Sequence, residues 1–246
     1  MSLNKRIGLG FFLLLMVGLY IADRFYFIKK PIIYANFGIS IPAGYTTHGI
    51  DVSRYQKDID WDLVSKMTDQ GQHLSFAIVK ATEGTNLVDN CFSCNWKALQ
   101  TKPLIRGAYL YFHANKSGKS QAEYFISKVK LEEGDLPPIV DIEERFGMPD
   151  VKLRNALQEC LNTLEKKYKH KPLIYSNVDF YEKRLGTQFD DYPFWAAHYE
   201  QVSEPRIQRN WLMWQHNCKG HVNGIAVDVD FNVVNGSLFT LSDLCL

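Results

Sequence analysis

The run Pro137-Pro138-Ile139-Val140-Asp141-Ile142-Glu143-Glu144 holds the residues best suited to chemistry. Ile139, Val140 and Ile142 favour an extended strand, and the two prolines bar a helix before it. Side chains at i and i+2 of a strand share a face, so Asp141 and Glu143 point the same way at the end of an apolar element. Two carboxylates close together in a low-dielectric site cannot both ionise freely, so one pKa rises. A protonated acid beside an ionised carboxylate is the pair that splits a glycosidic bond. The competing reading is a solvated strand end facing Lys or Arg. Same-face neighbours lie roughly 6–7 Å apart at Cα. Side-chain reach then admits both carboxylate separations used by glycosidases, so spacing leaves retention and inversion open.

The elements that must position this pair alternate. From His48 onward, short apolar runs suited to strands fall at 49–52, 76–80, 105–112, 139–143 and 173–176. Helix-compatible segments follow them at 60–70, 94–100, 120–129, 150–168 and 178–184. The fourth helix is the clearest, with Val151, Leu153, Leu157, Leu161 and Leu164 near helical spacing after Pro149-Asp150. Strands at 194–198, 212–216 and 226–233 follow with short connections. Alternating units imply a parallel sheet, and five of them followed by about three strands suggest an incomplete version of a closed α/β barrel.

In such a barrel the chemistry lies at the carboxyl ends of the strands. Asp51 follows the first strand, Lys80 and Glu83 end the second, and Tyr109 and Tyr111 lie on the third. Asp141 and Glu143 end the fourth and Tyr175 the fifth. Trp195, His198 and Tyr199 mark the sixth, Trp214 and Gln215 the seventh, and Asp228 and Asp230 the eighth. Polar and aromatic residues therefore gather on one rim. Trp195 and Tyr199 read either as sugar-stacking rings or as core, and Lys80 either as a sugar contact or as the partner of Glu83. His48, His198 and His216 read as hydrogen-bonded rim residues rather than metal ligands.

Lys and Arg number 28 against 27 Asp and Glu and are scattered, which gives no nucleic-acid footprint. No phosphate-cradling glycine loop follows a strand, which argues against nucleotide chemistry. Neither metal nor organic cofactor is expected: no ligand spacing suits a catalytic metal, and acid-assisted glycoside cleavage needs none. The abundance of Tyr, Phe and Trp suits a carbohydrate groove as well as a core. Cys91-Phe92-Ser93-Cys94 is a C-x-x-C without a second pair, so zinc is not expected there. In an oxidising compartment one or two disulfides could form among Cys91, Cys94, Cys160, Cys218 and Cys245.

Lys5-Arg6 precede an apolar run at residues 7–22, which Asp23-Arg24 end. No small-x-small cleavage site follows, so residues 1–30 read as an uncleaved signal-anchor rather than a removed signal peptide. The flanking charges do not set its orientation. Residues 31–46, with Pro31, Gly38, Pro42 and Gly44, read as a tether, and residues 47–246 as the barrel.

An ordered series of segments adds to this. Gly49-Ile50-Asp51-Val52-Ser53, Ile59-Asp60-Trp61, Phe76 to Gly84, Arg106-Gly107-Ala108-Tyr109, Val140-Asp141-Ile142-Glu143, Pro172-Leu173-Ile174-Tyr175-Ser176, Trp195-Ala196-Ala197-His198-Tyr199, Trp214-Gln215 and Val229-Asp230-Phe231-Asn232 resemble the glycoside hydrolase family 25 lysozymes, the Chalaropsis-type muramidases. The chain is also similar to membrane-tethered members from Gram-negative bacteria and their prophages. The resemblance implies a single flattened (β/α)5β3 barrel that cleaves the β-1,4 bond between N-acetylmuramic acid and N-acetylglucosamine in peptidoglycan. It implies Glu143 as general acid/base and Asp141 as the neighbour that orients or stabilises the 2-acetamido group. Asp51 and Asp230 complete the acidic cluster, with Asp230 matched by the Asp-x-Asn pattern through Asn232 and Asp228 left outside it. Lys80, Glu83, Tyr109, Tyr111, Tyr175, Trp195, Tyr199 and Gln215 are the expected substrate contacts. Retention with the substrate's own acetamido oxygen as nucleophile follows from the same likeness. Leu110 departs from the family pattern, which has His after Gly-Ala-Tyr. The expected partners are peptidoglycan glycan strands and, through the N-terminal segment, the inner membrane, with a monomeric catalytic domain in the periplasm; a removed signal peptide would instead leave the protein secreted to the cell envelope.

Two other functions compete. A glycan-binding protein on a dead hydrolase scaffold would have no need of the acidic cluster. A chitinase-like hydrolase of another β-glycan would carry a longer acidic run before its catalytic Glu, whereas Ile139 and Val140 stand here.

Overall fold

The structure is a computed structural model that describes residues 15–18 and 31–246. Apart from residues 15–18, the expected N-terminal anchor lies outside the described residues. Among the described residues no helix is long and apolar enough to cross a membrane.

The strands are β1 (Ile32–Tyr34), β2 (Ile39–Ile41), β3 (His48–Val52), β4 (Thr68–Asp69), β5 (Gln72–Glu83), β6 (Leu87–Val88), β7 (Ile105–Tyr111), β8 (Ile139–Asp141), β9 (Leu173–Asn177), β10 (Phe194–Ala197), β11 (Met213–Gly220) and β12 (Val229–Val234). Eight of them close into a barrel in the order β3-β5-β7-β8-β9-β10-β11-β12, and β12 pairs back onto β3. Neighbours from β3 through β11 run parallel, while β12 lies antiparallel to both β11 and β3. The helices are α1 (Trp61–Lys66), α2 (Phe92–Leu99), α3 (Gly118–Lys128), α4 (Asp150–Tyr168), α5 (Val178–Phe180) and α6 (Leu238–Ser242). The first five fall one after each of β3, β5, β7, β8 and β9 as the barrel strands are met along the chain, and no helix separates β10, β11 and β12.

Barrel strands are buried on both faces and therefore read as apolar runs. Phe76, Ile78, Ile139, Leu173, Trp195 and Met213 form the inner cluster. Ala77, Val79, Leu110, Val140 and Ile174 pack outward with the helices. In α4 the apolar stripe is Leu153, Leu157, Cys160, Leu161 and Leu164, all fully buried. Val151, expected in that stripe, is exposed in the first turn. Lys169 closes α4 in the left-handed region, with its N–H on Glu165 O. Where α3 starts, Gly118 meets α4 so closely that a Cβ there would stand 1.7 Å from Ala156 O.

Several expected boundaries move. The helix expected at 60–70 stops at Lys66, because Gln70 and Gly71, both at positive φ, turn the chain so that β4 pairs with β5. The last helical unit is short: a π turn at Tyr181–Leu185 follows α5. The five cysteines are free thiols, with Cys91 at the N-cap of α2.

The segment 31–46 is folded rather than a bare tether. β1 and β2 form an antiparallel hairpin. Tyr34, Phe37, Ile39 and Ile41 are buried, and the Phe37 ring meets the edge of Phe231 on β12 at 5.2 Å. His48 and His216 are buried on outward-packed positions; both ring nitrogens of His48, and Nε2 of His216, have no hydrogen-bond partner among the described residues. Burial lowers their pKa values to about 4 and about 3. Neither is the hydrogen-bonded rim residue expected, whereas His198 Nδ1 does accept from Arg206 N at 3.1 Å.

Candidate active site

The parallel strands end on one side of the barrel, and a cleft of about 550 Å³ opens there. Asp51 closes toward it from β3, Lys80 and Glu83 from β5, Tyr109 and Tyr111 from β7, and Asp141 from β8. Tyr175 on β9, Trp195 on β10, Tyr199 just beyond β10 and Gln215 on β11 complete the wall. Asp230 reaches the same rim because β12 runs the other way, and its register sets it beside Asp51. All twelve residues read from the sequence line this one cleft. Asp228 does not line it; its carbonyl accepts from Gln56 Nε2 at 3.1 Å. Leu110 is fully buried in the outer core, so the family's His position does not face the cleft in this fold.

Strand β8 is shorter than expected and ends at Asp141. The next residues stay anchored all the same. Phe112 N donates to Asp141 O at 2.8 Å, Ile142 N to Tyr175 O at 2.9 Å, and Ser176 Oγ to Ile142 O at 2.6 Å. These bonds hold the backbone on either side of Ile142, so Asp141 and Glu143 both enter the cleft although only one is in the strand.

The carboxylates are not alike. Asp51 Oδ2 accepts from Asn232 Nδ2 at 2.7 Å and Gln215 Nε2 at 2.9 Å. Asp141 Oδ1 is buried and receives no donor among the described residues. Burial first, then the charge of Glu143, pushes Asp141 well above the usual carboxylate range, against the pull of Lys80. Burial and then Asp230 push Asp51 up, while its two amide donors oppose the rise. Asp230 is raised to about 6 by burial and by Glu143. Glu143 is raised as well, by burial, with the Tyr175 hydroxyl and Lys80 pulling the other way. Like-charge repulsion, the expected cause, is therefore not what lifts Glu143; Glu143 lifts its neighbours.

Lys80 is committed. Its Nζ lies 2.7 Å from Glu83 Oε2 and 4.7 Å from the centre of the Tyr111 ring. Glu83 also meets His113 Nε2 at 3.2 Å, and Phe146 lies against the His113 ring at 4.2 Å. Trp195 is only 1 % exposed and its Nε1 donates to Asn232 Oδ1 at 2.8 Å, so its ring is wall rather than an open platform. Tyr199, at 40 %, is the open ring. The reading from sequence missed Ser53, Arg54, Tyr55, His113, Glu144 and Phe146. Each stands within a few residues of a strand end already singled out, and that position alone was the signal. Among the described residues no cluster of three or more His, Cys, Asp or Glu could hold a metal ion.

The glycosyl hydrolases family 25 profile matches residues 50–225, most of the barrel. The chain belongs to glycosyl hydrolase family 25. It is a glycosidase. YegX, an uncharacterised protein of Escherichia coli K12, is 46% identical over 203 residues, which is 82% of this chain and 75% of that one. Lysozyme M1 of Streptomyces globisporus is 33% identical over 205 residues, 77% of this chain and 68% of its own. Among solved structures, a family 25 glycosyl hydrolase from Bacillus anthracis superposes with a TM-score of 0.75 at 30% identity, covering 82% of this chain and 94% of that one. Family 25 membership bears on the cleft directly, since residues 50–225 include every cleft position from Asp51 to Gln215, and only Asp230 lies beyond.

Proposed function

We propose that this family 25 glycosidase hydrolyses the β-1,4 bond between N-acetylmuramic acid and N-acetylglucosamine in peptidoglycan. The observation that carries the reading is the convergence of Asp51, Asp141, Glu143 and Asp230 on one cleft, with Glu143 kept protonatable by burial. The likeness to Lysozyme M1 supports the substrate.

In this reading Glu143 gives its proton to the glycosidic oxygen as the bond to the leaving sugar breaks. The substrate's acetamido oxygen closes on the anomeric carbon, and Asp141 favours the resulting oxazolinium-like cation electrostatically. Glu143, now ionised, takes a proton from water, which opens the ring with overall retention. Asp51 and Asp230 add negative charge around the developing cation, and Tyr199 offers its exposed ring to a sugar. The apolar segment at residues 7–22 holds a monomeric enzyme at the membrane with the barrel in the periplasm. Cell fractionation with sequencing of the mature N-terminus tests that placement, and a soluble species starting after residue 22 would refute it.

The deciding experiment digests purified peptidoglycan and, separately, chitin. Mass spectrometry of the products with reducing-end analysis should find new N-acetylmuramic acid ends from peptidoglycan. New N-acetylglucosamine ends, or faster release from chitin, would overturn the reading.

A further inference from the structure

A directed chain of hydrogen bonds runs through the cleft wall and ends on Asp51. Trp195 Nε1 donates to Asn232 Oδ1 at 2.8 Å, and Asn232 Nδ2 donates to Asp51 Oδ2 at 2.7 Å. From the other side, the Tyr175 and Tyr199 hydroxyls donate to Gln215 Oε1 at 2.8 and 2.5 Å, and Gln215 Nε2 donates to the same Asp51 Oδ2 at 2.9 Å. An indole N–H only donates, so the first arm has one direction. Asn232 must turn its oxygen to Trp195 and its amino group to Asp51. A flipped Asn232 would set oxygen against the Asp51 carboxylate and leave the indole N–H unpaired in a buried position. Tyrosine hydroxyls donate or accept, so the Gln215 arm is the softer lock. Asp51 Oδ1 takes no donor among the described residues.

We propose that Trp195 and Asn232 are positioning residues, which fix Asp51 with Oδ2 saturated and Oδ1 presented to the substrate. Trp195 acts through its N–H and not by stacking on a sugar. The proposal assigns Asn232, one of the most deeply buried polar side chains of the barrel, a role in the cleft that it never itself lines. Many groups face Asp51. Asp230 comes from β12, Asp141 and Glu143 from the end of β8, and Tyr109, Tyr175 and Tyr199 from β7, β9 and beyond β10. Lys80 on β5 acts on Asp141 and Glu143. Burial and the neighbouring acids drive a proton onto Asp51, and the two amide donors work against it. Loss of one donor therefore shifts Asp51 toward its protonated form.

The test uses Trp195→Phe, which keeps an aromatic ring but removes the N–H, and Asn232→Asp, which keeps an oxygen for Trp195 but replaces the donor with an acid. In the full-length chain labelled with ¹³C at aspartate carboxyls, Asp51 is assigned by Asp51→Asn and its titration followed by NMR. The midpoint should rise by about one unit in Trp195→Phe and by more in Asn232→Asp, with a smaller rise in Tyr175→Phe. The acid limb of kcat/KM on peptidoglycan should move with it while KM stays near wild type. The kinetic arm rests on the muramidase reading and the NMR arm does not. Absent turnover with the NMR shift intact would therefore sink that reading alone. An Asp51 midpoint unmoved in both variants overturns the proposal. So does a raised KM with an unchanged pH profile in Trp195→Phe, the mark of a stacking ring. If Trp195→Phe fails to fold, the near-isosteric Asn232→Asp decides.

Discussion

Replacing Glu143 by Gln removes one titratable proton and almost no volume. The backbone on either side of Ile142 is pinned by the Ile142 N and Ser176 Oγ bonds, so the amide should occupy the carboxyl's place. Glu143 is half-buried and its pKa is raised by that burial, so the wild-type side chain still carries a proton where ordinary carboxylates have lost theirs. The leaving sugar oxygen departs poorly until it is protonated, and general acid catalysis is worth roughly 10²–10⁴-fold. At about 1.4 kcal/mol per decade, the lost transition-state stabilisation is about 3–5 kcal/mol. Glu144 is the internal control: it lies next in the chain, lines the same cleft and is exposed. No step of the mechanism uses a proton on Glu144, so Glu144→Gln should cost far less turnover than Glu143→Gln. The assay is release of soluble muropeptides from purified peptidoglycan by variants whose circular dichroism and melting match wild type. Near-wild-type turnover by Glu143→Gln, or a greater loss in Glu144→Gln, would refute the assignment of roles.

Asp141→Asn should lower kcat by a decade or more with little change in KM, because it removes negative charge next to the developing cation; steady-state kinetics on peptidoglycan check it. Asp230 holds its proton to about pH 6 in the fold but only to about 4 when unfolded. Its stabilising contribution is therefore complete below about pH 4 and lost as pH rises through 6, up to about 3 kcal/mol. Asp230→Asn should melt increasingly above wild type as pH goes from 4 to 7; a constant difference would contradict the burial argument. Gly118→Ala should cost at least about 2–3 kcal/mol, since its Cβ meets the Ala156 carbonyl and the two helices must part. That is a fall of roughly 4–12 °C in Tm by calorimetry. Phe37→Ala should cost about 3–5 kcal/mol in chemical denaturation, because the ring is fully buried against Phe231; a flexible tether would show no loss.

The barrel was legible for a physical reason. Strands buried on two faces, such as β5 and β9, write themselves as continuous apolar runs, and their order along the chain fixes which rim their last residues share. Helix α4 was legible to the residue because Pro149 and Asp150 open it and its apolar stripe is long. The hairpin β1–β2 was not. Its buried residues Phe37, Ile39 and Ile41 sit among Pro and Gly, which read locally as a linker, and Phe231, whose ring meets Phe37, is far along the chain. Trp195 shows the same limit within the site. Its place on the rim could be read from sequence, but whether its ring or its N–H mattered depended on Asn232, two strands away in the barrel.

The cause of the raised pKa values exposes a further distinction. Counting acids along a sequence predicts mutual repulsion, and repulsion does act on Asp51, Asp141 and Asp230. Burial, which no count reveals, is the larger cause for each of them and the sole upward cause for Glu143. Donors then oppose that rise unequally. Asp51 has two amide N–H groups on one oxygen, while a buried oxygen of Asp141 has none. In a coupled cluster the proton goes where the anion is least solvated. At Asp51 the two amide donors work for the anion against burial and Asp230, whereas at Asp141 the opposing pull comes from Lys80. The support for the Asp51 anion thus comes from Asn232 and Gln215, neither of which is ionisable, so two neutral side chains behind the cleft bear on the charge of one of its four acids.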